Sequence, residues 1–139
     1  DLKVDVVCLA VGLTPLAEVL WQAGAEMSYI PELGGFVPLY DEDMETTAEG
    51  VYVAGDVAGI EEASTAMAAG QLAGLCAAHS LGKVPEGEFR GRREAISAEL
   101  AQLRAGPTGE KILKGLSKMA ASREASRAGI GPGERVVGS

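Results

Sequence analysis

Thr46-Thr47-Ala48-Glu49-Gly50-Val51-Tyr52-Val53-Ala54-Gly55-Asp56 is the stretch on which the reading of this sequence turns. From Gly50 it reads as a short buried strand that stops at a glycine and delivers a carboxylate at its C-terminal end. From Glu62 to Leu81 the residues are small or apolar almost throughout, among them Ala63, Ala66, Met67, Ala69, Gly70 and Ala73. That composition predicts a helix made for close approach to its neighbours, closed by Gly82. The unit is therefore a strand, Gly55-Asp56, a short loop, and a helix whose first turn is Glu62-Ala63-Ser64-Thr65. In open α/β sheets ligands sit beyond the carboxyl ends of strands, where loops feed helix N-termini. Asp56 is expected at such an edge, able to accept charge-assisted hydrogen bonds from vicinal sugar-like hydroxyls. The helix start beside it offers open amides and a partial positive charge to an anion. Taken alone, Gly-Asp after a strand is equally ordinary turn chemistry, because aspartate suits loops.

Upstream, Val4 to Val11 reads Val-Asp-Val-Val-Cys-Leu-Ala-Val and ends at Gly12, the near-continuous apolar run of a strand buried on both faces. Thr14-Pro15 offers a cap and a first-turn proline to a short helix marked by Leu16, Val19, Leu20 and Ala23, which Gly24 stops. Glu26 to Ile30 and Phe36 to Leu39, reversed at Gly34-Gly35, predict a hairpin, with Asp41, Glu42 and Asp43 as a solvated acidic corner. Downstream, Lys83 to Arg93 is polar, contains Pro85 and the run Arg90-Gly91-Arg92-Arg93, and reads as a linker. Ile96, Leu100 and Leu103 mark one helix ended by Gly106-Pro107. Thr108 is placed to cap another that carries Ile112, Leu113, Leu116 and Met119, giving a helical hairpin or docking arm. Gly129 to Ser139 is glycine-rich and reads as mobile.

The whole chain has 139 residues, 47% hydrophobic and 23% charged, with a formal net charge of -8. That suits one compact domain with helical extra, and its negative field disfavours nucleic acid and anionic membrane surfaces as partners. No apolar run reaches the roughly 20 residues that span a bilayer, and no secretory signal opens the chain, so a cytoplasmic location is the expectation. The first methionine is Met27, so the chain does not begin as a freshly translated protein does, and further sequence upstream is expected. Cys8 and Cys76 each sit in an apolar run and read as buried reduced thiols. With one histidine, His79, and no clustered Cys and His ligands, no metal site is assigned.

The Thr46 to Asp56 stretch resembles the second FAD-binding motif of the pyridine nucleotide-disulfide oxidoreductase superfamily: a threonine, a spacer, a hydrophobic strand, then Ala-Gly-Asp. Val4 to Pro15 is similar to the segment of that superfamily where the chain leaves the NAD(P)H domain and re-enters the FAD domain, ending in Gly-x-x-Pro. Ile60 to Met67 looks most like the amine- or imino-acid-oxidising members: FAD subunits of dye-linked proline dehydrogenases, sarcosine oxidase α-type chains and hydrogen cyanide synthase. The resemblance covers Val4 to about Leu81. It implies an α/β fold, with residues 1–82 as the C-terminal half of a Rossmann-like FAD-binding domain; residues 83–139 lie beyond it and read from their own pattern as linker, helical hairpin or docking arm, and flexible C-terminus. It also implies roles for five residues: Asp56 on the flavin ribityl chain, Gly55 permitting close backbone approach, and the amides around Ala63, Ser64 and Thr65 at the pyrimidine edge. Charge on a reduced flavin set against that helix start is worth on the order of 0.3 to 1 kcal/mol.

The sequence departs from those relatives in holding no G-x-G-x-x-G, so both pyrophosphate cradles, for FAD and for NAD(P)H, would lie on absent segments. Without C-x-x-C, disulfide reduction is not assigned, and no catalytic acid or base is named. The isolated chain is expected to bind FAD weakly and to be inactive. Its partners are FAD, the missing N-terminal part and, through the tail helices, a partner subunit or a second copy. A rival reading makes the tail an assembly module without catalysis, since its apolar faces need covering. The remaining conspicuous side chains have plainer roles. Glu61 and Glu62 complement a helix dipole rather than touch an amine substrate, Trp21 and Tyr29 lack aromatic companions and read as core or rim, and His79 caps a helix end. The arginine run is a solvated cluster that could meet an acidic partner surface.

Overall fold

The computed structural model describes residues 3–129. Its elements run α1 (Glu18–Gln22), β1 (Met27–Ile30), β2 (Gly35–Pro38), α2 (Ala63–Ser80), α3 (Glu86–Leu103) and α4 (Pro107–Arg127). Helices and strands are both present, and the two strands form an antiparallel hairpin. Met27 pairs with Pro38 and Ile30 with Gly35, and a 3₁₀ turn at Pro31–Leu33 joins the strands. Gly34 and Gly35 turn the chain at φ 96° and 142°, a region where a Cβ is strained and glycine is not. Ser28 and Ile30 face inward, while Tyr29 faces out and meets Phe36 edge to face at 5.1 Å. Tyr29 thus has the aromatic companion that the sequence did not reveal. Leu33, at the turn, is fully buried, which is worth about 2 kcal/mol of transfer free energy.

Neither of the other expected strands forms among the described residues. Val4 to Val11 has no ladder partner, and its large side chains stand open, from 60% exposed at Val4 to 91% at Val11. Backbone amides and carbonyls make a strand only against a neighbour, and no described segment pairs with this one. The reading of Cys8 as buried falls with it: Cys8 is exposed, whereas Cys76 is buried as expected. Before Asp56 only isolated bridges form, Tyr40 with Thr46 and Glu45 with Tyr52. Val53 is nonetheless buried, its amide donating to the Met44 carbonyl at 2.9 Å. Thr14-Pro15 does not open the first helix either. Pro15 lies against the hairpin turn, 3.4 Å from where a Gly34 Cβ would stand, and α1 starts three residues later without a side-chain cap.

The small-residue helix forms as its composition predicts, as α2, and Gly82 leaves it at φ 67°. Where a linker was expected, α3 already begins at Glu86, and the arginine run lies on it. Arg90 and Arg92 pair one turn back with Glu86 and Glu88, an arrangement that favours helix over coil. Arg93 reaches Asp43 and Glu42, and Arg123 of α4 reaches Asp41 at 3.0 Å. The acidic corner is therefore where the tail is fastened, through Asp41 and Asp43, while Glu42 stays 93% exposed. Ile96 and Leu100 of α3 are buried as that helix lies along α2. Helix α4 instead packs on the hairpin turn and β1, its Gly115 so close that a Cβ there would sit 2.7 Å from Leu33 Cγ. Its start is formed by Gly106 at φ 101° and Pro107, not capped by Thr108. The tail helices thus grip chiefly different parts of the chain rather than each other. The glycine-rich end read as mobile lies, beyond Gly129, outside the described residues. No helix among the described residues is long and apolar enough to cross a membrane.

Candidate functional site

Gly55 takes φ 78° and hands the chain to a 3₁₀ turn at Asp56–Ala58. A Cβ built on Gly55 would be 3.9 Å from the Ala66 Cβ, so the end of the Val51–Ala54 run lies in van der Waals reach of the first turns of α2. Gly55 and Thr65 line one small cavity together with Tyr40. Asp56 is exposed beside it, and its carboxylate has no hydrogen-bond or ion-pair partner among the described residues. Helix α2 starts behind Glu62 with no side-chain cap, so its first amides, those of Ala63, Ser64 and Thr65, lack intrahelical partners. Ala63 and Ser64 are exposed, and Thr65 is buried. All five residues singled out in the sequence therefore fall on one loop-to-helix junction. The donor set suits a ligand with hydroxyls at one end and an electron-rich edge at the other: a free carboxylate, an uncapped helix start and a glycine at the point of closest approach.

The junction is held from outside by three contacts. The Ile60 amide donates to the Leu33 carbonyl at 2.9 Å, and the buried Tyr40 hydroxyl donates to the Ala58 carbonyl at 3.4 Å. Burial, outweighing the opposing pull of Arg104, pushes the Tyr40 phenol up to about 12, so it stays a donor. Arg104, at the C-terminal end of α3, binds Glu61 with both nitrogens of its fork, Nε to Oε2 at 2.9 Å and Nη2 to Oε1 at 2.7 Å. Glu61 is thus taken up by an arginine, which argues against the substrate contact weighed for it. Neither Tyr40 nor Arg104 was legible as part of the site, because each meets the loop across a long sequence separation, |i−j| of 18 and 43, that no local pattern records.

His79 is more than a helix cap. Its Nδ1 lies 2.9 Å from the Val84 carbonyl and its Nε2 3.2 Å from Glu86, and its ring stacks on Phe89 at 3.9 Å. It fastens the α2–α3 connection, well away from Asp56 along α2. Trp21 is 71% exposed and belongs to neither core nor site. A wider cleft of about 630 Å³ opens between the acidic corner and helices α3 and α4. Its charged walls include the tail's ion pairs, Arg93 with Asp43 and Arg123 with Asp41, together with Arg104, Glu124 and Arg127.

The family model described as pyridine nucleotide-disulphide oxidoreductase matches residues 1–70. An opine oxidase subunit of Agrobacterium tumefaciens (strain Ach5) is 42% identical over 71 residues, 51% of this chain and 14% of that protein. The opine oxidase subunit of the same designation from Rhizobium meliloti is 36% identical over 78 residues, 56% of this chain and 15% of that protein. The chain spans about a seventh of the length of these curated relatives. No solved structure matches it.

Proposed function

The chain belongs to the pyridine nucleotide-disulphide oxidoreductase family, and we propose that it completes the flavin pocket of an FAD-dependent oxidoreductase acting on an amine or imino acid. The observation that carries this reading is the junction itself: an Asp56 carboxylate with no partner among the described residues, one residue from the close approach of Gly55 to a helix start without a side-chain cap. FAD, when bound, supplies the electron-accepting chemistry, and the protein orients it and sets its potential. Asp56 accepts hydrogen bonds from the ribityl hydroxyls. The amides of Ala63, Ser64 and Thr65 would hold the electron-rich edge of the ring, where their share of the helix dipole would favour negative charge. No residue of this chain is assigned to proton transfer.

Two further observations support the reading. The exposed apolar run Val4–Val11, with Leu13 at 67% exposure, has the composition of a parallel strand awaiting neighbours, which the rest of an FAD domain would supply. The opine oxidase names of the relatives agree with the likeness of Ile60–Met67 to amine-oxidising flavoproteins, and an opine is our proposed substrate class. Their designation as subunits favours a place in an assembly. The rival reading, a tail that serves only assembly, finds less support, because Ile96, Leu100, Ile112 and Met119 are already covered within the chain.

Asp56→Ala in the protein expressed at full length tests the proposal. Loss of charge-assisted hydrogen bonds worth about 1.5 to 3 kcal/mol corresponds to FAD affinity lower by roughly ten- to a hundredfold, read by flavin absorbance and fluorescence titration. A wild-type protein that takes up no flavin, or a variant that holds it unchanged, refutes the assignment.

A further inference from the structure

We infer that Arg104, from the helical tail, is a positioning residue of this flavin site, and that by pairing with Glu61 it neutralises a carboxylate that would otherwise bias the charge at the flavin edge. The inference rests on the functional reading above and extends it to a part of the chain with no counterpart in the motif. Arg104 and Glu61 are mostly withdrawn from water, with side-chain exposures of 16% and 13%, and their two parallel hydrogen bonds fix angle as well as distance. Together they line a cleft of about 350 Å³ whose other walls include Glu62 and Thr65 of the α2 start and Leu103, Pro107 and Thr108 of the α3–α4 corner. The tail thus closes one side of the space in front of the uncapped helix start.

The corner that carries Arg104 has little freedom. A Cβ on Gly109 would overlap the Arg104 carbonyl oxygen at 1.8 Å, so the first turn of α4 sits directly against the backbone of Arg104. Of the three outside anchors on the Gly55–Glu62 loop, the Leu33 carbonyl and the Tyr40 hydroxyl are neutral. Only the third brings a pair of charges, and it brings them next to the residues assigned to the pyrimidine edge. Charges as withdrawn from water as this pair act on a nearby redox group with less screening than exposed ones. A matched pair contributes almost nothing net, whereas either partner alone shifts the balance between oxidised and anionic reduced flavin.

The test uses the full-length, flavin-loaded protein and two near-isosteric variants, Arg104→Met and Glu61→Gln, with the charge-exchanged double variant Glu61→Arg with Arg104→Glu. Arg104→Met leaves Glu61 unbalanced and is expected to lower the flavin potential. Glu61→Gln leaves Arg104 unbalanced and is expected to raise it. Each shift is expected to reach about 30 mV, a tenfold change in a two-electron equilibrium constant, and the double variant is expected to return toward the wild type. Thermal melting of each variant reports the purely structural cost. Opposite shifts with partial rescue support the inference. Equal melting losses with unchanged potentials, or shifts of the same sign, overturn it while leaving the flavin reading intact, and a variant too unstable to retain flavin is decided by the other two. A full-length protein that holds no flavin overturns the functional reading, and this inference with it.

Discussion

The arm from Val4 to Leu16 and the tail from Glu86 to Arg127 behave in opposite ways. The arm is almost wholly apolar, yet Leu9 is 83% and Leu16 81% exposed. The tail is rich in charge, yet it is docked along its length, with Ile96, Leu100, Ile112 and Met119 buried and Arg93, Arg104 and Arg123 each joined to a carboxylate of the preceding region. Hydrophobicity creates a demand for burial, but geometry must answer it. An extended segment needs a ladder on each side, whereas a helix satisfies its own backbone and needs only a surface. The tail finds that surface in α2 and the hairpin turn, and the arm, apart from Pro15 at the hairpin turn, finds no ladder partner among the described residues.

The largest effect that could break this contrast is expected at Leu33, the fully buried side chain over which α4 crosses. Leu33→Ala removes the surface on which α4 rests and should cost about 2 to 5 kcal/mol in denaturant unfolding. An effect below about 1 kcal/mol would mean that the tail is not docked there. Gly115→Ala probes the same contact from the other side. The added Cβ falls 2.7 Å from Leu33 Cγ, and overpacking of this kind costs about 1 to 3 kcal/mol, so α4 should loosen first in hydrogen exchange. Free movement of α4 away from the turn would make the substitution neutral or helix-stabilising.

The smallest effect is the most discriminating for the arm. Burial holds the Cys76 thiol up to about 12, with the neighbouring Asp43 adding to it, against an ordinary 9.0. The folded state therefore favours the neutral thiol. That contribution to stability is complete below pH 9 and is lost as pH rises toward 12. At pH 8 a thiol reagent should modify the exposed Cys8 and spare Cys76 in the isolated chain. In the full-length protein, where the arm is proposed to enter a sheet, Cys8 should react at least about tenfold more slowly. Equal rates in both forms would show that the arm has no such place.

Much of the candidate junction's local geometry was legible in the sequence. Gly55-Asp56 and the first turn of α2 are neighbours along the chain, and local rules carry them: a glycine where φ must be positive, small residues on a helix, and no capping side chain at its start. The hairpin was legible for the same reason, since Gly34-Gly35 reverses the chain locally. What was misread is non-local. The same apolar run that makes Val4–Val11 a good strand is silent on whether a partner is at hand. The charges at Arg93 and Asp43 look solvated until they are seen to face each other.

By itself, then, the sequence determined the α2 helix, the hairpin, the loop-to-helix junction and the family to which they belong, because short-range sterics and motif chemistry are written in neighbouring residues. Only the tertiary structure decided that the tail is docked, that Arg104 holds Glu61 at 2.7 Å beside the α2 start, and that the arm stands unpaired. Those outcomes depend on which surfaces meet across tens of residues, where burial and charge pairing are settled by three-dimensional proximity rather than by spacing along the chain.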